Sequence, residues 1–119
     1  MIKVGTDIIR IDRVKKALDK FGDKFKQRFL NETEIILTKK TSSIAGFWAA
    51  KEAISKALGC GIGKELSFHD IVISKTPKGA PQFQLTSHAQ KIHQISSSSL
   101  SISHDGGFAI AVVIITTQE

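Results

Sequence analysis

The chain predicts an α+β fold, an antiparallel sheet packed against helices, from three features of its 119 residues. Segments with helical periodicity fill the first half, β-branched segments dominate the second, and Asp105-Gly106-Gly107 reads as a hairpin turn between two of the latter. There is no internal repeat and no linker long enough to divide the chain, so a single domain over residues 1–119 is expected.

Residues 2–9 are β-branched and end in polar side chains, which suits a strand with Asp7 near its exit. Asp12 then caps a helix in which Val14, Ala17, Leu18 and Phe21 recur at helical spacing, and Gly22 stops it. Residues 24–30 form a short helix with Phe25 and Phe29 on one side and Lys24, Lys26 and Arg28 among its cations. Asn31 and Glu34 have capping-box spacing ahead of Ile35, Ile36 and Leu37, so another helix starts there. Residues 44–58 are rich in alanine and form the strongest helix, ended by the glycines of 59–63. Strands follow at 68–74 and 82–85 around a turn at 77–81, then a short helix at 86–95. The serines of 96–99 read as a loop, and strands at 100–104 and 108–116 complete the chain.

The net charge of +6 and a pI near 9.6 call for an anionic partner: a nucleic acid, a phosphorylated small molecule, an acidic protein or a membrane surface. Cys60 is the one cysteine, so no intramolecular disulfide forms and a reducing compartment is expected. The first ten residues are too interrupted by Lys3, Asp7 and Arg10 for a signal peptide, and no apolar run reaches membrane-spanning length. A soluble, cytoplasmic protein is expected.

In the central helix, Phe47, Ala50, Ile54, Ala57 and Leu58 fall on one face and Glu52 with Lys56 on the opposite one. On spacing alone Glu52 and Lys56 are a solvated i,i+4 ion pair. The following Gly59-Cys60-Gly61-Ile62-Gly63-Lys64 is neither a Walker loop nor a dinucleotide fingerprint, because Leu58, Glu65 and Lys64 occupy positions those motifs reserve for other residues. Zinc is not expected, since Cys60 stands alone and His69, His88, His93 and His104 lack ligand spacing. His104 and Asp105, adjacent on a strand, point to opposite faces and do not make a hydrolytic triad. Asp7, an acid closing an apolar strand, must be solvated, hydrogen-bonded or paired with a cation; by itself it reads as a turn residue.

Three ordered blocks change that reading. GTDIIRIDRV, AAKEAISKALGCGIG and SISHDGGFAIAVVI, with LSFHDIVI and KGAP between them, resemble the holo-acyl-carrier-protein synthases, the small group of the 4′-phosphopantetheinyl transferase superfamily. The likeness covers nearly the whole chain, and AAKEA with its trailing lysine and glycines is its most specific part. It implies the 4′-phosphopantetheinyl transferase fold and an enzyme of lipid and fatty acid biosynthesis that moves the phosphopantetheine arm of coenzyme A onto a serine of an acyl carrier protein. It further implies that Asp7 and Glu52 hold Mg²⁺, that Asp7, Glu52 and Lys56 carry the catalysis, and that Lys56, Gly59, Pro81 and His104 line the coenzyme A cleft. Arg13, Lys24, Phe25 and Arg28 match the segments that dock the acidic carrier. The family is typically a homotrimer with each cleft shared between subunits. Two positions depart from the pattern: Phe47 and Trp48 stand where an arginine and an aromatic are common, and Arg10 stands where an acid is common. The alternatives are a basic α+β nucleic-acid-binding module, poorly served by a chain without tyrosine, and a silent carrier-binding scaffold, which has no need of Asp7, Glu52 and Lys56 together.

Overall fold

A computed structural model describes residues 1–118. The strands are β1 (Ile2–Arg10), β2 (Ile71–Lys75), β3 (Pro81–Leu85), β4 (Ile95–Asp105) and β5 (Phe108–Thr117). The helices are α1 (Ile11–Phe21), α2 (Asp23–Phe29), α3 (Glu32–Leu37), α4 (Thr41–Ala57) and α5 (Ser87–His93). All pairing is antiparallel: a three-stranded sheet in the order β1-β5-β4 and a separate β2-β3 hairpin. The α+β class is as the sequence predicts. Gly106 and Gly107, both at positive φ (58° and 84°), close the β4-β5 hairpin, a backbone that residues with a Cβ rarely adopt.

The sheet alternates cleanly. In β5, Ala109, Ala111, Val113 and Ile115 are buried, while Phe108, Ile110, Val112 and Ile114 face outward. Helix α4 lies across the buried face against β1 and β5. Small residues on both sides bring it close: a Cβ on Gly5 would sit 2.0 Å from the Ala53 carbonyl oxygen and 2.8 Å from the Ala57 nitrogen. These are backbone atoms that cannot turn aside, so Gly5→Ala is expected to destabilise by about 1–3 kcal/mol or more through overpacking. The same substitution shifts β1 against α4; a melt with normal Tm and turnover would contradict this contact.

Several local expectations change. Helix α1 begins at Ile11 with Arg10 at its N-cap and no side-chain capping bond, so Asp12 is not the cap. It sits in the first turn, where its charge suits the helix dipole, and pairs with Lys16 at 3.2 Å. Residues 68–70 are a 3-10 turn closed by a Ser67–Asp70 capping box, and the strand starts only at Ile71. The serines of 96–99 lie in β4, with a register shift between Ile95 and Ser97. Pairing with β5 supplies their backbone hydrogen bonds, and tertiary context overrides weak strand propensity.

Helix α4 departs most. It is buried nearly all round, and its apolar stripe has no fully solvated opposite face. Lys51 is completely buried: its ammonium donates to Glu34 Oε1 at 2.7 Å and to the Phe29 and Phe68 carbonyls at 2.7 and 3.0 Å. Glu34, also fully buried, accepts from the Asn31 and Ile73 backbone N–H groups at 2.7 and 2.8 Å. The expected capping box at Asn31 and Glu34 is present, and the same carboxylate ties α3 to α4 and β2. Among the described residues, no helix is long and apolar enough to cross a membrane.

Candidate active site

Alternation along β1 sends Asp7 toward α4, on the face shared with Gly5 and Ile9. Arg10 falls on the other face, with its guanidinium 5.9 Å from the Phe108 ring centre. The unusual arginine is therefore directed away from the acid. Lys56, in the last turn of α4, reaches Asp7: its ammonium is 2.9 Å from Oδ1 and 3.2 Å from the Thr6 carbonyl oxygen. The solvated Glu52–Lys56 pair expected from spacing is thus replaced by a link between helix and strand. The Asp7 side chain is 15% exposed and that of Lys56 54%, so the pair opens to solvent on the lysine side.

Glu52 stands beside them. Burial holds its carboxyl above the ordinary range, the charge of Asp7 adds to this, and Lys56 opposes it. Two acids that repel each other, one of them shared with a single lysine, lack cationic charge. A hard divalent cation bound by carboxylates and substrate phosphates supplies what such a pair lacks, so Asp7 and Glu52 fit Mg²⁺. Gly59 follows Lys56 at the helix end, at φ 77°, with its N–H on the Lys56 carbonyl oxygen.

His104 and Pro81 lie elsewhere. They border a cavity of about 190 Å³ with Ser42, Ser43, Phe47 and Lys75. Asp7 and Ile102 flank Ala111 from opposite edges of the three-stranded sheet, roughly 10 Å apart by strand spacing, and His104 is two residues further along β4. Ser43 and Glu52 project from opposite sides of α4, nine positions apart. One chain therefore keeps the acid cluster and the His104 cavity on different flanks of the helix.

The basic segments gather around a third feature. Phe25, Arg28, Trp48 and Phe68 line a depression of about 350 Å³, and Arg13 with Phe25 and Trp48 borders a neighbouring one of about 130 Å³. Trp48 lies 6.1 Å from Phe25 in a stacked arrangement, and 5.0 Å from each of Phe29 and Phe68. Lys24 is exposed at the start of α2. Trp48 and Phe68 were not among the residues the sequence assigns to a site. The Phe47-Trp48 departure was the available signal, but a helical tryptophan does not reveal which distant rings it meets.

A family model for the 4′-phosphopantetheinyl transferase superfamily matches residues 3–113. The holo-acyl-carrier-protein synthase of Sulfurovum sp. is 60% identical over 114 residues, 96% of either chain. Among solved structures, the Helicobacter pylori holo-acyl-carrier-protein synthase in complex with coenzyme A superposes with a TM-score of 0.92 at 55% identity, covering 95% of this chain and 99% of that one. The Bacillus anthracis synthase in complex with coenzyme A (3′,5′-ADP) gives 0.82 at 39% identity, with 98% and 96% covered. With its sequence matching over nearly its whole length and its fold superposing on these proteins, the chain belongs to the 4′-phosphopantetheinyl transferase superfamily, among the holo-acyl-carrier-protein synthases.

Proposed function

We propose that this protein transfers the 4′-phosphopantetheine group of coenzyme A to a serine of apo acyl carrier protein. The serine oxygen bonds to the β-phosphorus, the pyrophosphate bridge breaks, and adenosine 3′,5′-bisphosphate leaves. The observation that carries this reading is the junction of β1 and α4, where Asp7, Glu52 and Lys56 meet at the protein surface. When bound, Mg²⁺ would offset charge on the phosphoryl oxygens. Asp7 and Glu52 would provide its protein ligands. Lys56 exchanges its bond to Asp7 for a phosphate oxygen, steadying charge as it develops. In this reading Glu52 accepts the serine proton through an intervening water. Gly59 leaves room for the ligand beside Lys56, and Pro81 and His104 line the part of the cleft that takes the nucleotide end, where Lys75 adds a cation. Intact mass spectrometry tests the whole: apo carrier incubated with protein, coenzyme A and Mg²⁺ gains the phosphopantetheine adduct, and chelation prevents it. An unmodified carrier across several candidates would refute the assignment.

The same reading makes the protein a homotrimer with active sites between subunits. The outer sheet face supports it: Ile2, Val4 and Ile8 of β1 and Ile110, Val112 and Ile114 of β5 are 39–75% exposed, and Val4 pairs with Ile114 and Ile8 with Ile110 to give a continuous apolar surface. A neighbour seated there would bring its His104 flank to this chain's acid cluster. Val112→Asp is expected to give monomers by sedimentation and to cut transfer at least about ten-fold, since a buried unpaired charge is not tolerated in an interface. A monomer with full turnover would refute the shared site. Unbridged Cys60 suits a cytoplasmic location.

Carrier docking falls to Arg13, Lys24, Phe25 and Arg28, because cations there rim an aromatic depression suited to an acidic amphipathic helix. Arg13→Glu is expected to raise the carrier KM about ten-fold or more at low salt and to leave the coenzyme A KM unchanged. An unchanged carrier KM would remove Arg13 from the surface. The nucleic-acid alternative gains nothing here, since Phe25, Trp48 and Phe68 are engaged with one another.

A further inference from the structure

Away from the acid cluster, two segments bring together three donors that no spacing rule associates. Cys60 lies in the glycine loop after α4, Glu65 ends that loop, and His93 is the last residue of α5. One ligand atom from each, a thiol sulfur, a carboxylate oxygen and an imidazole nitrogen, lies within 4.8 Å of the other two. The sequence argued against zinc because Cys60 is alone and the histidines are scattered; the fold supplies the proximity that spacing lacks.

From this cluster we infer a transition-metal site, of zinc class, formed by Cys60, Glu65 and His93. Donor chemistry separates it from the Asp7–Glu52 pair. Mg²⁺ takes oxygen ligands, whereas a set of sulfur, nitrogen and oxygen suits Zn²⁺. Three protein ligands leave one tetrahedral position for water. Bonds of about 2.0–2.3 Å to a tetrahedral ion place donors roughly 3.3–3.8 Å apart, so closing on the metal takes a movement of about 1 Å. Glu65 is exposed and Cys60 and His93 are half-buried, so side-chain rotation accommodates this.

The surroundings are consistent with such a site. The backbone of the loop is held in place: the Cys60 and Gly61 N–H groups both donate to the Ser55 carbonyl oxygen, at 3.3 and 3.2 Å. His93 Nε2 already lies 3.4 Å from the Glu65 carbonyl oxygen, which puts the ring at the loop. Burial and the charge of Glu65 push the Cys60 thiol up, with Lys3 opposing, so the thiol keeps its proton until a metal arrives. Binding then exchanges that proton for the metal, with release to solvent. The consequence is a staple from the loop that follows Gly59 to the end of α5.

The test uses the full-length protein with Co²⁺ alone, followed by competition with Zn²⁺. The expected result is one equivalent bound, with a thiolate-to-cobalt charge-transfer absorption that Zn²⁺ abolishes. Cys60→Ser should lose that absorption, and His93→Ala should weaken Zn²⁺ at least about ten-fold. Asp7→Asn/Glu52→Gln, which empties the proposed Mg²⁺ site, should leave both signals intact. Zn²⁺ should raise the Tm of the unmodified protein and not that of Cys60→Ser. Absence of the charge-transfer band, equal Zn²⁺ affinity in Cys60→Ser, or loss of binding only in the Asp7/Glu52 variant would each overturn the site. Because none of these readouts measures transfer, failure here is distinguishable from failure of the proposed activity.

Discussion

Glu52→Gln should reduce phosphopantetheine transfer by at least about a hundred-fold, the scale on which a positioned general base contributes, and should at the same time raise the Tm of the metal-free protein. The two effects share one cause. Burial and the neighbouring Asp7 hold the Glu52 carboxyl above its ordinary value of 4.5, so the folded protein binds this proton more tightly than the unfolded chain does. An acid shifted upward penalises folding once it ionises. The penalty is present in full above the folded pKa, and it disappears as pH falls through that value toward 4.5. Glutamine does not ionise. The Tm advantage of the variant should therefore be present at pH 7 and shrink on acidification. Mg²⁺, which relieves the same repulsion, should stabilise the unmodified protein and have much less effect on the variant. Full turnover in Glu52→Gln would remove Glu52 from the catalytic group. A lower Tm at pH 7 would mean that its carboxylate is well compensated without metal.

That conflict between stability and chemistry explains why so little of the site was legible in local pattern. Asp7 was visible as an acid closing an apolar strand, and Glu52 with Lys56 as an i,i+4 pair. Nothing in either spacing says that Lys56 bonds to a residue 49 positions away. The ordered blocks of family resemblance placed these residues in one site, and the fold brings them together. His104 is the converse case: the family resemblance puts it with the same cleft, while within one chain β4 carries it to the far flank of α4, so the proposed cleft would need the His104 of a neighbouring subunit. The fold itself was more legible, because β5 alternates strictly, Asn31 and Glu34 form their box, and Gly106-Gly107 turns the hairpin. The serine strand was missed because its pairing partner, not its composition, makes it a strand. Lys51 was missed for a related reason. A lysine beside a glutamate in a helix reads as solvated surface, and only the packing of α3 and β2 around α4 reveals that it is buried.

The Lys51–Glu34 pair carries the largest expected effect on stability. Glu34→Ala strands a buried ammonium with only the Phe29 and Phe68 carbonyls for partners and takes the side-chain acceptor from the Asn31 and Ile73 N–H groups. Breaking a buried pair from one side costs about 3–5 kcal/mol. Domains have only about 5–15 kcal/mol in total, so the variant should melt more than about 10 °C lower or fail to fold at 37 °C. Glu34→Leu/Lys51→Met removes both charges, and the buried-pair rule predicts that it recovers most of the loss. Recovery should stop short of complete, because two carbonyls and two N–H groups lose partners that apolar side chains do not replace. Those carbonyls belong to Phe29 and Phe68, whose rings lie 6.0 Å apart and each 5.0 Å from Trp48. A double variant that folds should consequently loosen the aromatic wall beside Arg28, raising the carrier KM while the coenzyme A KM stays as it was. If the double variant is no more stable than Glu34→Ala, the loss comes from the missing hydrogen bonds and not from the stranded charge. If it folds with an unchanged carrier KM, the ammonium is a core staple with no part in shaping the docking surface.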